Sequence, residues 1–422
     1  MEYLNTEDFA QKMDSADPLK TYRDKFYFPK HTTGEEAIYL CGNSLGLQPK
    51  SARTHIEYVL DDWRDLGVKG HFEGANPFAT YHESLGEQMA KIVGGRKEEV
   101  VAMNSLTVNL HLMMVSFYRP EQGRYKILIE KNAFPSDQYA VKSQLEFHGY
   151  DPKDGLIELE PREGEDTLRT EDILDLIKNK GQEISLIMIG GLNYYTGQAY
   201  DMERITRVGH DMGCMVGFDL AHGAGNLNLS LHDWDVDFAV WCTYKYMNSG
   251  PGGIAGCFVN ERHLKRKDLA RFAGWWGHDK ATRFMMDDTF VPIEGAEGWQ
   301  MSNETVLSMA ALKASLEIFE EVGMKAIVRK SRLLTRYLEF LIDELKSDRI
   351  QIITPKQTDA RGAQLSIRVI QSDKSLFMAI SDKGVIADWR EPDVIRIAPA
   401  PLYNNFSDVF KFVQILKETL GI

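Results

Sequence analysis

The sequence predicts an α/β fold in which a mostly parallel central sheet is joined to a smaller α+β lobe near the C-terminus. Through the middle of the chain, short apolar runs alternate with amphipathic helical patterns, and after Trp299 long helices are followed by two strand-like runs. Alternating strands and helices are typical of βαβ units around a parallel sheet. The 422 residues suffice for two lobes. We predict an N-terminal segment 1–49 that packs with the small lobe, a large domain 50–305 and a small domain 306–422.

Apolar periodicity places the individual elements in order along the chain. A helix begins at NSLTVNLHLMM, and strands are predicted at RYKILIE, ISLIMIGG, MVGFDLAH and VDFAVWCTYKY. Between these strands we predict helices at DQYAVKSQLEFHG, ILDLIKNKG and MERITRVGHDMG. In the small lobe we predict two long helices, NETVLSMAALKASLEIFEEVG and RKSRLLTRYLEFLIDELKS, two strands, GAQLSIRVI and VIRIAPAPLY, and a closing helix, DVFKFVQILKETLGI.

Composition and charge argue against several classes of protein. The formal net charge of −13 is unsuited to nucleic-acid binding, which depends on clustered Lys and Arg. No apolar run approaches the ~20 residues of a membrane span, and the acidic, polar N-terminus is unlike a signal peptide. No C-x-x-C pair and no histidine at metal-ligand spacing accompany the four cysteines, Cys41, Cys214, Cys242 and Cys257. We therefore expect a cytoplasmic protein that acts on a small molecule, with no metal centre and no disulfide framework.

The stretch LCGNSLGLQP contains a match to a catalytic motif. Residues Gly42–Gly46 fit G-x-S-x-G, the turn that presents the serine nucleophile of α/β-hydrolases. That turn needs a strand before it and a helix directly after it, whereas Pro49 lies where the helix would run. The match also comes too early for the strands and the oxyanion loop that precede such a turn. We predict that Ser44 is not a nucleophile.

An aspartate and a lysine follow two buried strands of the predicted sheet. Asp219 and His222 lie at the end of MVGFDLAH, and Lys245 follows Tyr244 at the end of VDFAVWCTYKY. Open α/β sheets bind ligands at the carboxyl ends of their strands, and a lysine buried there must be neutral, paired or covalently occupied. Pyridoxal phosphate requires such a lysine for a Schiff base and an acid beside its pyridine nitrogen. The two residues therefore predict a pyridoxal phosphate site.

Further features suit the same cofactor. The helix start at NSLTVNLHLMM offers free N–H groups to a phosphate, Tyr244 can donate another hydrogen bond, and Phe134 can stack on the pyridine ring. Taken alone, each side chain also has a structural explanation as a helix cap, a core residue or a surface lysine. Their combination favours the cofactor site. A dinucleotide site is disfavoured because GPGGIAG does not complete G-x-G-x-x-G and no acidic residue follows at the required spacing.

The sequence resembles the kynureninase family, which has the fold-type I architecture of PLP-dependent transferases. The matching stretches are GNSLGL, NSLTVNLHLMM, AFPSDQYA, PREGEDTLR, YYTGQ, GFDLAHGAGN, HDWDVDFAVWCTYKYMNSGPGGIAG, GWWGH, MSN and RIAPAPLYN, and together they span almost the whole chain. The resemblance implies hydrolysis of the Cβ–Cγ bond of L-kynurenine or 3-hydroxy-L-kynurenine. The products would be anthranilate or 3-hydroxyanthranilate and L-alanine, in tryptophan catabolism and the supply of NAD precursors.

The resemblance also implies roles for individual residues. Lys245 forms the Schiff base, Asp219 binds the pyridine nitrogen, and Tyr244 binds the phosphate and donates a proton. Other cofactor contacts are implied for Leu106, Thr107, Phe134, Pro135, Ser136, Asp137, Gly190, His222, Trp275 and Asn303, the last two reaching across a homodimer interface. Substrate contacts are implied for Asn43, Ser44, His71, Asn303 and Arg396, with Arg396 binding the α-carboxylate. Gly190 departs from the family pattern, because some relatives carry a serine there.

The same resemblance bears on the choice of substrate and on the alternatives. A histidine at position 71 and an asparagine at position 303 imply a preference for 3-hydroxykynurenine, because without the ring hydroxyl this polar pair would lose its hydrogen bonds. Within the fold type, an aminotransferase or a cysteine desulfurase is the alternative. A desulfurase needs a nucleophilic cysteine on a loop, whereas the four cysteines lie in or beside predicted strands. A serine hydrolase and a non-catalytic binder of small molecules are the alternatives from other classes.

Overall fold

The computed structural model of the chain describes residues 2–370 and 373–422. It contains three sheets. Their strands are β1 Ile38–Tyr39, β2 Val100–Ala102, β3 Lys126–Glu130, β4 Leu156–Leu159, β5 Ile184–Gly190, β6 Met215–Asp219, β7 Phe238–Trp241, β8 Gly256–Val259, β9 Ile350–Ile352, β10 Leu365–Val369, β11 Val385–Ile386, β12 Asp388–Arg390 and β13 Val394–Ile397.

The helices follow the strands in the expected alternation. They are α1 Glu7–Ala16, α2 Ala52–Leu66, α3 Tyr81–Val93, α4 Leu106–Phe117, α5 Pro135–Phe147, α6 Pro152–Gly155, α7 Thr170–Lys180, α8 Met202–Asp211, α9 Glu261–Leu264, α10 Val306–Val322, α11 Met324–Glu344, α12 Lys374–Ser381 and α13 Phe406–Leu420. In the described part of the chain, no helix is both long enough and apolar enough to cross a bilayer.

The central sheet has seven strands in the order β2-β8-β7-β6-β5-β3-β4, which confirms the predicted, mostly parallel architecture. Strands β7, β6, β5, β3 and β4 run parallel, and β8 runs antiparallel to both of its neighbours. The strand β5 is apolar along nearly its whole length because both faces of the sheet are covered. Alternate residues enter different cores: Ile187 packs in one hydrophobic cluster, and its neighbours Leu186 and Met188 pack in the other.

The C-terminal part of the chain forms a four-stranded antiparallel sheet in the order β12-β13-β10-β9. Helices α11 and α13 cover this sheet, and the N-terminal helix α1 packs against α13. Asp14 at the end of α1 accepts hydrogen bonds from the Phe406 backbone N–H (2.6 Å) and the Ser407 hydroxyl (2.5 Å), so it caps the first turn of α13. Domain boundaries at residues 49 and 305 remain our proposal.

Sequence patterns did not reveal the shorter strands of the central sheet. Strands β2 and β8 are three and four residues long, and β4 lies at the sheet edge with only part of its surface buried. Such segments have too few residues for a clear periodicity. The glycine-rich stretch GPGGIAG leads directly into β8 rather than into a helix. This arrangement contradicts a dinucleotide-binding turn, which requires a helix at that point.

Candidate functional site

Strands β3, β5, β6 and β7 end at the same edge of the central sheet, because parallel strands present their carboxyl ends together. The loops beyond these ends enclose a pocket that we call the strand-end pocket. Its lining residues are Leu106, Thr107, Glu130, Phe134, Ser136, Asp137, Gly190, Leu192, Tyr194, Asp219, Ala221, His222, Tyr244 and Lys245. Ten of these residues were predicted as cofactor contacts. Pro135 lines an adjoining cavity of about 550 Å³ instead.

Asp219 is the last residue of β6, and its buried carboxylate faces the pocket. Burial raises the pKa of Asp219, while the Ala221 backbone N–H, which donates to Asp219 Oδ1 at 2.6 Å, and the charge of Lys245 oppose the rise. Asp137 lies against Asp219, and its pKa is raised well above the usual range by burial and then by the Asp219 charge. We infer that Asp137 is the neutral member of the pair and Asp219 the ionised one.

Lys245 lies beyond the end of β7, where it faces both the carboxylate and an aromatic ring. Its Nζ lies 5.8 Å from the centre of the Phe134 ring. Burial lowers the pKa of His222 well below its usual value, and the Lys245 charge lowers it further, so the His222 ring is neutral. The pocket therefore combines a lysine, an ionised aspartate and a neutral histidine.

The N-terminus of α4 opens into the same pocket through Leu106 and Thr107. The preceding residue, Ser105, makes no side-chain hydrogen bond to the first turn of the helix. The first N–H groups of a helix have no partner within the helix and attract anions. This helix end is thus suited to a phosphate group, as the sequence predicted.

Pyridoxal phosphate fits the residues of this pocket. Among the residues that line the pocket, two buried side-chain atoms have no hydrogen-bond partner, Asp137 Oδ1 and His222 Nδ1. A buried polar atom without a partner is unfavourable, so a polar ligand is expected there. Lys245 can bind the aldehyde, Asp219 the ring nitrogen and the start of α4 the phosphate. Phe134 and Ala221 can contact the ring.

Sequence reasoning missed four lining residues: Glu130, Leu192, Tyr194 and Ala221. Glu130 ends the strand β3, so the rule that ligands bind at strand ends could have identified it. Its carboxylate accepts from the Gly190 backbone N–H at 3.2 Å. A Cβ at position 190 would lie 2.9 Å from Glu130 Oε1, so a larger residue here would displace the end of the Glu130 side chain.

The GNSLGL stretch packs against the lysine loop rather than forming a nucleophile turn. The next helix after Ser44 begins only at Ala52, and no histidine in the described residues is hydrogen-bonded to Ser44. Gly46 donates its N–H to the Tyr244 carbonyl at 2.8 Å, and a Cβ there would overlap the Lys245 carbonyl oxygen. This geometry contradicts the serine-hydrolase alternative.

Arg396 of β13 is almost fully buried beside the strand-end pocket. Its Nη1 donates to the Tyr194 carbonyl at 2.8 Å, and its Nη2 donates to Asp388 Oδ2 at 2.5 Å. Asn43 is tied to the same carbonyl through Gln364: the Asn43 amide donates to Gln364 Oε1 at 2.9 Å, and Gln364 Nε2 donates to Tyr194 O at 3.0 Å. The structure thus brings together two predicted substrate residues that are 353 positions apart in the sequence.

The remaining predicted residues, His71, Trp275 and Asn303, do not line the strand-end pocket of their own chain. His71 and Trp275 belong to one continuous patch of rings, which we call the aromatic surface. Its rings follow each other in the order His71, Phe72, Phe284 and Trp275, with centroid separations of 6.2, 5.8 and 5.5 Å. An apolar groove of about 490 Å³ is lined by His71 and by residues 305–307, which begin two positions after Asn303. Phe72, Phe284 and Trp275 are exposed.

The four cysteines are buried and none lies on an exposed loop. Burial raises the pKa values of all four thiols, to about 12 for Cys41 and to about 11 for Cys214. A thiol of raised pKa is a poor nucleophile at neutral pH. The cysteine desulfurase alternative therefore has no candidate nucleophile among them.

Known proteins of one family match nearly the whole chain. A family model described as the kynureninase C-terminal domain matches residues 327–416. A kynureninase from Koribacter versatilis is 57% identical over 409 residues, which cover 97% of this chain and 96% of that protein. A kynureninase from Myxococcus xanthus is 56% identical over 415 residues and covers 98% of this chain and 97% of its own length.

Solved structures of similar fold have much lower sequence identity. A cysteine desulfurase from Escherichia coli has a TM-score of 0.76 at 17% identity over 96% of this chain and 98% of that chain. A cystine C–S lyase variant with glycine linked covalently to its PLP cofactor has a TM-score of 0.74 at 16% identity, over 90% and 96% of the two chains. At these identities the likeness concerns the fold alone, and it confirms the predicted fold-type I architecture.

Proposed function

The chain belongs to the kynureninase family and is a pyridoxal phosphate enzyme with kynureninase activity, and from this premise we propose its preferred substrate, its catalytic residues and its assembly. The single observation that supports the residue assignments is the strand-end pocket, where Lys245, Asp219 and the start of α4 converge. We place the enzyme in the cytoplasm, in tryptophan catabolism, and assign it the hydrolysis of the Cβ–Cγ bond of L-kynurenine and 3-hydroxy-L-kynurenine.

Pyridoxal phosphate supplies a carbonyl that joins to amino groups and a protonated ring that draws electrons away from the substrate Cα. The carboxylate of Asp219 holds the proton at the ring nitrogen, supported by the Ala221 N–H on its Oδ1. With the substrate in the pocket, Lys245 Nζ would take the proton from Cα and return protons to the substrate carbons. Tyr244 binds the phosphate and is the further proton donor.

Hydrolysis needs a water molecule at the γ-carbonyl and a fixed substrate. We assign the α-carboxylate to Arg396, whose guanidinium is fixed by the Tyr194 carbonyl and by Asp388. Asn43 and Ser44 form the wall beside it. With the carboxylate and the amine both fixed, the Cα–H bond is held in one orientation relative to Lys245, which is how positioning lowers the barrier.

We assign contacts with the aromatic ring of the substrate to residues from a second copy of the chain. His71, Trp275 and Asn303 lie away from the strand-end pocket of their own chain, on or next to an exposed apolar surface. Exposed apolar patches of this kind mark interaction sites. We propose a homodimer in which the partner subunit's Trp275 and the partner subunit's Asn303 complete the site, with His71 of the partner subunit near the ring.

We propose a preference for 3-hydroxykynurenine over kynurenine. The ring hydroxyl adds a donor and an acceptor, and a histidine with an asparagine can satisfy both. One such contact changes relative kcat/KM by about tenfold to a hundredfold, because the analogue without the hydroxyl leaves the polar pair unsatisfied.

The test is a comparison of kcat/KM for the two substrates in the wild type and in the double variant His71→Trp with Asn303→Thr. We expect the ratio to fall or reverse in the double variant, while the cofactor absorbance is retained. An unchanged ratio would show that these residues do not recognise the ring hydroxyl.

A further inference from the structure

Arg390 has no role in the function proposed above, and the strand register places it beside Asp388 and Arg396. In the antiparallel pair β12–β13, Asp388 is directly opposite Arg396. Arg390 is two residues further along β12, so it shares the face of Asp388. The three charged side chains therefore lie on one face of the small sheet.

Asp388 is bound by both arginines. Its Oδ2 accepts from Arg396 Nη2 at 2.5 Å and from Arg390 Nη2 at 3.1 Å, and its Oδ1 lies 3.0 Å from Arg390 Nε. The Asp388 side chain is 11% exposed and the Arg396 side chain 1%, whereas the Arg390 side chain is 35% exposed and lines the adjoining cavity. Arg390 therefore lies between the buried pair Asp388–Arg396 and the adjoining cavity.

The net charge of Arg396, Asp388 and Arg390 together is +1, which one substrate carboxylate neutralises. Asp388 alone would neutralise Arg396, and an arriving carboxylate would then meet a buried pair with no net charge. With Arg390 also bound to Asp388, the group carries one net positive charge before the substrate binds and none afterwards. Burial lowers the pKa of Arg396, Asp388 opposes that change, and the nearby charge of Arg390 adds to it. A guanidinium nevertheless stays protonated in a protein.

Arg396 also retains a free donor for a ligand. Its Nη1 and Nη2 are each bonded within the protein, whereas Nε is buried without a hydrogen-bond partner. A buried guanidinium N–H without a partner is costly, and a carboxylate oxygen would satisfy it.

We propose that Arg390 is a positioning residue for the substrate α-carboxylate, because it neutralises Asp388 and thereby leaves the charge of Arg396 available to the substrate. The inference rests on the proposed assignment of Arg396 to the α-carboxylate. Arg390 acts through Asp388, so its effect depends on the charge of Asp388.

The test measures amino-acid binding to the holoenzyme through the change in cofactor absorbance. The probes are L-alanine, which carries the α-carboxylate, and L-alaninamide, which has a neutral amide in its place. For Arg390→Gln we expect the Kd of L-alanine to rise at least about tenfold and the Kd of L-alaninamide to stay within about twofold.

The charge argument makes a further, signed prediction. In the double variant Arg390→Gln with Asp388→Asn, both members of the removed ion pair are neutral, and Arg396 again provides one net positive charge. We expect the Kd of L-alanine to recover most of the loss. If the double variant does not fold, Arg390→Lys decides: a Kd within about threefold of wild type supports the proposal, and a loss equal to that of Arg390→Gln overturns it.

Two controls separate the possible failures. Asp393→Asn changes a partly exposed acid in the same β12–β13 hairpin, where it lies 3.6 Å from Arg368, and it should leave both Kd values unchanged. Arg396→Gln should remove the discrimination between the two probes; if it does not, the assignment of the α-carboxylate to Arg396 is wrong and the inference falls with it. If Arg396→Gln acts as expected but Arg390→Gln weakens both probes equally, or the double variant shows no recovery, only the role of Arg390 is refuted.

Discussion

At the scale of single residues, the strand-end pocket contains several ionisable side chains, although burial disfavours the charged form of each. Glu130, Asp137 and Asp219 are all buried within it, and Lys245 lines it with them. Three ionised carboxylates in one desolvated pocket would repel each other, so protons must be shared out among them. Burial raises the pKa of all three groups, while the Ala221 N–H and the Lys245 charge favour the ionised form of Asp219, the residue that binds the pyridine nitrogen in our proposal.

Lys245→Ala should abolish turnover, because in our proposal the side chain is both the covalent anchor and the base. The absorbance of the protein-bound cofactor linkage should disappear, while the fold survives, since Lys245 is only partly buried. Lys131→Ala is the matched control: this lysine lines the adjoining cavity and pairs with Glu160 at the surface. Normal turnover by Lys245→Ala would refute the site.

Glu130 gives a prediction about pH. Burial raises the pKa of Glu130 to about 7, against the Gly190 N–H hydrogen bond, which opposes the rise. A folded-state pKa above the unfolded value of about 4.5 means that the native state binds the extra proton. The contribution of Glu130 to stability is therefore complete below about pH 4.5 and is lost as the pH rises through about 7.

Glu130→Gln should remove this dependence, because the amide has no charge to desolvate. The free energy of unfolding of the wild type should fall relative to that of Glu130→Gln between these pH values, by at most about 3 kcal/mol. Urea denaturation at several pH values measures the difference, with Glu158→Gln on the exposed face of β4 as the control. Parallel pH profiles of wild type and variant would contradict the raised pKa.

At the scale of elements, the GNSLGL segment supports the lysine loop from outside the sheet. Gly46 approaches the Tyr244 and Lys245 backbone so closely that no Cβ fits. We expect Gly46→Ala to displace the lysine loop and to weaken cofactor binding at least about tenfold. The comparison is Ser44→Ala in the same segment, which should keep the cofactor affinity and reduce turnover only in part.

Equilibrium dialysis of the cofactor and a kinetic assay measure the two variants side by side. A dead Ser44→Ala protein that still holds the cofactor would restore the nucleophile hypothesis. Equal cofactor affinity in Gly46→Ala and wild type would show that the close approach has no functional consequence.

At the scale of the whole molecule, the proposed homodimer predicts complementation between inactive chains. Lys245→Ala lacks the lysine, and Trp275→Ala with Asn303→Ala lacks the residues given to the partner. A mixed dimer has one site that carries all of the changes and one site that carries none. After unfolding and reassembly together, random pairing should restore about one quarter of wild-type activity, because half of the dimers are mixed and each has one intact site.

Each variant refolded alone is the control for that experiment and should stay inactive. The shared site would be refuted if the mixture stays inactive although the two variants, each tested separately, bind the cofactor or form dimers. Sedimentation of the wild type provides the independent check on the dimer.

The sequence by itself predicted the longer parallel strands β3, β5, β6 and β7 with the helices between them, and it predicted Asp219 and Lys245 as site residues. Asp219 and Lys245 could be identified because each follows a buried apolar strand, and strand ends carry the ligands of an open α/β sheet. The proposed phosphate site at the start of α4 was predicted from the free N–H groups of a helix start, and Phe134 was proposed as a stacking residue because it directly follows a strand. Family motifs supplied the residues that no local pattern singles out, such as Arg396 and His71.

Only the tertiary structure decided which of these residues meet. Local patterns do not show that Asp388 stands opposite Arg396, because that depends on strand register in a sheet whose strands are separated by loops. The short strands β2 and β8 escaped notice because they are specified by pairing and burial rather than by periodicity. The protonation states of the buried acids also depend on the folded structure. Whether Glu130, Asp137 or Asp219 keeps its proton is set by desolvation and by neighbours from different strands, which come together only when the chain folds.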